Sequence, residues 1–524
     1  MEDWGEKNVG LHSTVLAVLD TYTGSIQVVV PEGPAADTTV GQPVLLPDPA
    51  SAGGTRLVYS GWSTQPRRYG KLYCMQRPCG LFQVSLGSLV GEDGQWAAAS
   101  EHRALTPSLS IAHSARPTPD GQAVVFVGRQ ERMVTHHGCL QLWRLDNGTA
   151  APRCLVDIVR RPANAAAFPG LFSSGLPAYP FISQTELVLN TQWRSRTTVV
   201  AVHADTGVVR ELGGLRTPQA IAQVAAGDGW NDLAHCSTRA LDVCPGRVLF
   251  GVSAPNCPER YGVLDTDAAG SSGLCMAPAP PTVTVTAKLD PPVPAYSSAL
   301  LASLRWQTMT LTCPSDGLEY ECTLLLPAGA GPHRVLLVPH GGPHSCLPTS
   351  FVPSYAFLAA HLNMAVLHCN YRGSVGFGQD SIESLPGHIG TNDVADCMDI
   401  LEHACKIHPS LLDASRVGVA GGSHGGFLTG HLIGQFPDRF KVAAMRNPVT
   451  NIPPMVTTSD ISDWCYVEAL GLDAFDFDSF KPPLPPQLAG MYAASPIAHV
   501  AKVPRRSLQH CYTPPSLAES RPQP

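Results

Sequence analysis

Four stretches in the first half of the chain repeat one arrangement of apolar and polar positions. They are Arg56-Leu57-Val58-Tyr59-Ser60-Gly61-Trp62, Ala123-Val124-Val125-Phe126-Val127-Gly128-Arg129, Glu186-Leu187-Val188-Leu189-Asn190-Thr191-Gln192 and Arg247-Val248-Leu249-Phe250-Gly251-Val252-Ser253. Their starts, at 56, 123, 186 and 247, are 67, 63 and 61 residues apart. Strands of a second kind lie between them and run into turns: Leu16–Asp20 before Thr23-Gly24, Leu140–Asp146 before Asn147-Gly148, and Val199–Asp205 before Thr206-Gly207. Pro119-Asp120-Gly121 is a turn signal just ahead of the second repeat. Strand, polar turn and strand at a long, fixed period predict an all-β propeller over residues 1–300, each repeat forming one blade. An irregular β-sandwich is the competing pattern. The period is longer than a usual blade, so long loops are expected, and only about four to five blades fit. Because the chain opens almost inside a strand, the propeller is expected to be incomplete, lacking its first blades. Residues 270–294 are rich in Pro, Ser, Ala and Thr and predict a loop or hinge near the boundary.

From about Leu304 the pattern changes. Short apolar runs at Glu319–Pro327, Arg334–Pro339, Ala365–Tyr371 and Arg416–Ala420, with a helical pattern over Asp393–Cys405, predict a doubly wound α/β domain over 301–504. The last run continues as Gly421-Gly422-Ser423-His424-Gly425, which fits G-x-S-x-G, the nucleophile elbow of α/β-hydrolases. The serine occupies a strained strand-to-helix turn, and the flanking glycines let the two backbones pass closely. His340-Gly341-Gly342-Pro343-His344 follows the strand ending at Pro339. Such a turn can aim a backbone N–H near Gly342 at an oxyanion, with the His424 N–H as second donor. Asn370-Tyr371-Arg372-Gly373-Ser374-Val375-Gly376-Phe377-Gly378 is glycine-rich but lacks the Gly-Lys-Ser/Thr of a phosphate loop, so it predicts a shaped loop bordering the site. Arg446 follows the next short strand, where its fork of donors could hold a substrate carbonyl or carboxylate, or form a structural ion pair. Phe427, Leu428, His431, Leu432 and Phe436 have helical spacing and predict the core face of the helix after Ser423.

Composition narrows the classes. The 524 residues are 44% hydrophobic and 15% charged, and 35 basic against 42 acidic residues give a net charge of −7. That leaves no electrostatic footprint for nucleic acid, since pairs such as Arg67-Arg68 and Arg160-Arg161 suit a solvated surface. The 16 cysteines form no C-x-x-C pair and no spaced Cys/His set for zinc, so no metal is expected. Residues 1–7 lack the character of a signal peptide and no apolar run could span a bilayer, so no membrane association and a cytoplasmic location are expected.

Together with Arg446-Asn447-Pro448-Val449 and Ser459-Asp460-Ile461-Ser462-Asp463-Trp464-Cys465, these motifs resemble the acylaminoacyl-peptidases (acyl-peptide hydrolases) of the prolyl oligopeptidase family. The likeness runs from Glu2-Asp3-Trp4-Gly5-Glu6 to about Val503. It implies a β-propeller covering an α/β-hydrolase domain, and release of an N-acylated amino acid from short blocked peptides that the propeller admits. It also implies Ser423 as nucleophile, Gly342 and His424 as oxyanion donors, no metal or organic cofactor, a cytosolic location and often a homo-oligomer. Two departures stand out. The family's extra N-terminal sequence has no counterpart, and the triad acid and histidine should follow the nucleophile in the order Ser…Asp…His. Here the chain ends 101 residues after Ser423 in a polar, Pro/Ser-rich tail over 505–524, expected to be disordered or aberrant. His499 and His510, with Asp460, Asp463, Asp473, Asp476 and Asp478, do not follow strands in the required order. The hydrolase domain is therefore expected to be truncated, with Ser423 lacking its base. The alternatives are a catalytically impaired isoform that only binds peptides or partner subunits, and a general carboxylesterase.

Overall fold

The computed structural model describes residues 14–22, 24–48, 54–86, 101–149, 151–212, 230–266, 285–288, 295–479, 481–503 and 511–512. In the first half the four repeats form the strands Thr55–Ser63, Ala123–Arg129, Glu186–Trp193 and Arg247–Ala254. Each pairs antiparallel with strands that adjoin it in the chain. The first two repeats lie in separate meanders. A single parallel pairing of Cys79 with Ile111 fuses these into one eight-stranded sheet. The third and fourth repeats belong to sheets of three and four strands.

Ala123–Arg129 is buried along its whole length because both of its faces are covered. Val125 and Val127 pack with Leu187, Leu189, Val200 and Val202 of the next sheet. Val124 and Phe126, pointing the other way, pack with Val58, Leu81 and Leu145. Val188, Val199 and Ala201 in turn meet Val243, Val248 and Phe250 of the fourth sheet. Successive sheets thus stack face to face, which is why these strands read as continuous apolar runs. Residues 270–284 and 289–294 of the expected hinge lie outside the described residues.

The second half is a seven-stranded sheet in the order Arg305–Thr312, Glu319–Leu326, Met364–Asn370, His333–Pro339, Leu412–Gly422, Val442–Arg446, Cys511–Tyr512. Glu319–Leu326 runs antiparallel to both neighbours, and from Met364–Asn370 onward all pairs are parallel. The helices Pro353–Leu362, Asn392–Ile407 and His424–Gln435 make the crossovers. Alternate strand residues face opposite cores. Val335, Leu337, Leu324 and Leu367 join Ile400, Phe427 and Leu432, whereas Leu336, Val338, Leu325 and Val366 join Trp306, Ala356 and Ala359. Of the tail expected to be disordered, Cys511–Tyr512 forms a two-residue strand against Met445 and Arg446, and the rest lies outside the described residues. Among the described residues no helix is long and apolar enough to cross a membrane, and the cysteines from Cys74 to Cys257 and from Cys313 to Cys465 are free thiols.

Polar contacts join the halves. Arg77 donates to both carboxylate oxygens of Asp463, at 2.6 and 3.3 Å, and Gln76 donates to the same carboxylate at 3.0 Å, all three side chains being buried. Arg194 bonds Glu321 and, at 2.7 Å, Glu319.

Candidate active site

Ser423 sits between the strand Leu412–Gly422 and the helix His424–Gln435, with φ +55° and ψ −122°. A non-glycine residue at positive φ is strained, and two sets of contacts enforce it. The Ser423 N–H donates to the Arg446 carbonyl at 2.9 Å, and its carbonyl accepts from the Phe427 N–H at 3.0 Å. The flanking glycines show why the motif spacing is required. A Cβ on Gly421 would stand 2.2 Å from the Gly425 carbonyl oxygen, and one on Gly425 would stand 2.3 Å from the Pro339 carbonyl oxygen. Both obstacles are backbone, so strand, helix and neighbouring strand close on one another only through glycine. Ser423 itself is exposed.

The turn after Pro339 lies directly against the elbow. A Cβ placed on Gly341 would fall 3.1 Å from the Gly422 carbonyl oxygen, 3.3 Å from Ser423 Cβ and 3.9 Å from the His424 nitrogen. Gly342 adopts φ +123°. The Trp464 indole N–H donates to the Gly342 carbonyl at 3.1 Å, and the Tyr371 hydroxyl donates to the His340 carbonyl at 2.9 Å. The His340 ring stacks on Tyr371 and spans from the Gly341 carbonyl to the Ser374 hydroxyl, 2.7 Å on each side. Burial pushes its pKa down to about 3, so the ring is neutral. The glycine-rich loop over 370–378 therefore lies against the turn over 340–342 and braces it. Arg372 is itself fixed by Asp396 and Asp316.

The His424 side chain points away from this chemistry. Its ring is fully buried against Phe427 and bonds Asp393 Oδ2 through Nε2 at 2.9 Å. Asp393 also accepts the backbone N–H groups of Gly390 and Val394. The pair anchors the helix after Ser423, a role the sequence does not reveal because 31 residues separate the partners. Arg446 is exposed, and its Nε and Nη2 lie 3.4 Å from the Cβ position of Gly422, one residue before Ser423. His431 is buried, edge-on to Phe427, as expected of a core-facing position.

Among the described residues no side chain hydrogen-bonds the Ser423 hydroxyl. His499 packs on His431 and against Gly434, two turns and more along the helix from Ser423. Asp463 is committed to Arg77, Asp476 to Ser479 and Lys481, and Asp478 to Arg132. His510 lies outside the described residues.

Comparison with known proteins supplies the wider context. Residues 1–244 match the family described as acylamino-acid-releasing enzyme, N-terminal domain, and residues 349–479 match the prolyl oligopeptidase family. The chain is 32% identical over 539 residues to acylamino-acid-releasing enzyme 2 of Oryza sativa subsp. japonica, covering 96% of this chain and 65% of that protein. It is likewise 32% identical over 514 residues to the acylamino-acid-releasing enzyme of Homo sapiens, covering 96% and 62%. It therefore spans less than two thirds of the length of either relative. Among solved structures, Pyrococcus horikoshii acylaminoacyl peptidase has a similar fold, with a TM-score of 0.58 at 13% identity over 95% of this chain and 74% of that one.

Proposed function

Since the chain belongs to the acylaminoacyl-peptidase branch of the prolyl oligopeptidase family of serine peptidases, we propose that it acts on short N-acylated peptides, releasing the acylated terminal residue through Ser423. The stacked sheets of the first half are the blades of a β-propeller over 1–300 that admits only short peptides to the α/β-hydrolase domain over 301–504. The Ser423 oxygen attacks the carbonyl of the acylated residue, and the N–H groups of Gly342 and His424 receive the developing oxyanion. Arg446, exposed beside Gly422, holds a substrate carbonyl or carboxylate through its guanidinium fork.

The observation that carries this reading is the strained, exposed Ser423 facing a glycine turn whose carbonyls are held from outside by Trp464 and Tyr371. Donors fixed before the reaction cost no reorganisation when charge develops. A serine also needs a base to lose its proton, and no described histidine reaches it. The test is turnover of an N-acetyl-alanyl chromogenic substrate by the purified chain. Turnover abolished by Ser423→Ala supports the peptidase. Binding of N-acetylated peptide without turnover, unaffected by that change, would assign the chain a binding role instead.

A further inference from the structure

Three buried side chains from distant parts of the sequence converge behind the oxyanion turn: His136 from the first half, His344 two residues beyond Gly342, and Glu468 on the helix Ser462–Leu470. One ligating atom from each lies within 4.8 Å of the others. His344 Nε2 stands 3.2 Å and His136 Nδ1 3.5 Å from Glu468 Oε1. None of these three atoms, nor Glu468 Oε2, has a hydrogen-bond partner, although all are buried. Both imidazole nitrogens thus stand close to one carboxylate oxygen without an aligned hydrogen bond. Burying so many unpaired polar atoms is costly unless something else satisfies them.

We infer that His136, His344 and Glu468 form a binding site for a divalent transition metal, zinc by its ligand set, at the seam between the two halves. Metal–nitrogen bonds of about 2.0–2.1 Å in a tetrahedron place the ligand atoms about 3.3 Å apart, and the observed 3.2 and 3.5 Å bracket that edge. The second shell also fits. His344 donates through Nδ1 to the Gly373 carbonyl at 2.8 Å, which leaves the Nε2 lone pair free for a metal. The second Glu468 oxygen or a water completes the coordination. Two neutral imidazoles and one carboxylate leave a divalent ion with a single net positive charge, mild enough for a buried site. The three ligands lie 208 and 124 residues apart, so no local spacing announces them. The site would tie the oxyanion turn to both halves, and it stands independently of the peptidase reading.

The test strips the full chain with chelator and reloads it with Zn2+ or Co2+. We expect one Zn2+ per chain, a raised melting temperature, and a Co2+ spectrum with the intense visible bands of a tetrahedral nitrogen/oxygen site and no thiolate charge-transfer band. His136→Asn and Glu468→Gln should weaken Zn2+ binding by about 100-fold or more. The Co2+ spectrum of the unaltered chain decides the matter even if a variant does not fold. Thiolate bands, a weak octahedral spectrum, no retained metal, or equal binding by the His136→Asn variant would overturn the site and leave His344 and Glu468 as a buried ion pair.

Discussion

The first half keeps its apolar side chains in separate clusters between successive sheets, whereas the second gathers most of its own into one large cluster and a companion across its sheet. The junction between them follows a third rule. Among the described residues its arginine ion pairs run one way, from the first half to carboxylates of the second: Arg77 to Asp463, Arg129 to Glu383, Arg132 to Asp478, Arg160 to Asp380 and Glu383, Arg161 to Asp380, and Arg194 to Glu319 and Glu321. Apolar packing gives each half its shape and also crosses the junction, where Tyr69 and Trp230 join the second half's core and Phe172 packs with Val375 and Ile382, while directed charge adds fixed geometry to that contact. Apolar surfaces tolerate sliding, but a buried guanidinium–carboxylate fork has one geometry.

The sharpest way to break this contrast is Arg77→Ala. It leaves Asp463 buried without its cation and should cost about 3–5 kcal/mol in urea unfolding. A variant as stable as the parent would mean that the seam does not rest on these pairs. Next come matched core truncations, Leu337→Ala in the second half and Leu187→Ala in the first, each costing about 2–5 kcal/mol. Hydrogen exchange separates them. The first should loosen amides throughout the seven-stranded sheet, and the second only those of the three-stranded sheet and of the eight-stranded sheet packed against it.

Acid affects both halves alike. Burial pushes the pKa values of His113, in the first half, and of His368 and His431, in the second, down to about 4, with Lys71 and Arg116 adding to the effect at His113. A depressed folded-state value means that the unfolded chain binds more protons between about pH 4 and the ordinary 6.5. The stability these neutral rings contribute is therefore complete above pH 6.5 and is lost as pH falls toward 4, by about 2 kcal/mol per histidine at pH 5. A thermal melt as stable at pH 5 as at pH 7.5 would contradict it. Smallest is Arg132→Ala, which removes an exposed pair with Asp478 and should change stability by less than about 1 kcal/mol.

Much of this molecule could be read from its sequence because its signals are local. Each of the four repeated strands, each predicted strand of the second half and the elbow is written within about a dozen consecutive residues, where period and glycine placement suffice. What sequence reasoning missed is long-range or lacks period. Trp464, which pins Gly342, sits on Ser462–Leu470, a helix buried on nearly every side whose sequence shows no amphipathic stripe. The motif around it can be recognised, but its task cannot. The His424 side-chain bond to Asp393 depends on the packing of two helices and leaves no local signal. The strand at Cys511–Tyr512 was hidden because two residues carry no periodicity.

The helix Ser462–Leu470 has a mechanical consequence. Asp463 grips Arg77 of the opposite half, and the adjacent Trp464 holds the Gly342 carbonyl. Any rotation that withdraws Arg77 must either strand a buried carboxylate or carry this helix with it. The second course takes Trp464 away from the turn beside Ser423. The helix thus couples the seam between the halves to the turn beside Ser423, so that a displacement at Arg77 is passed on to the Gly342 carbonyl.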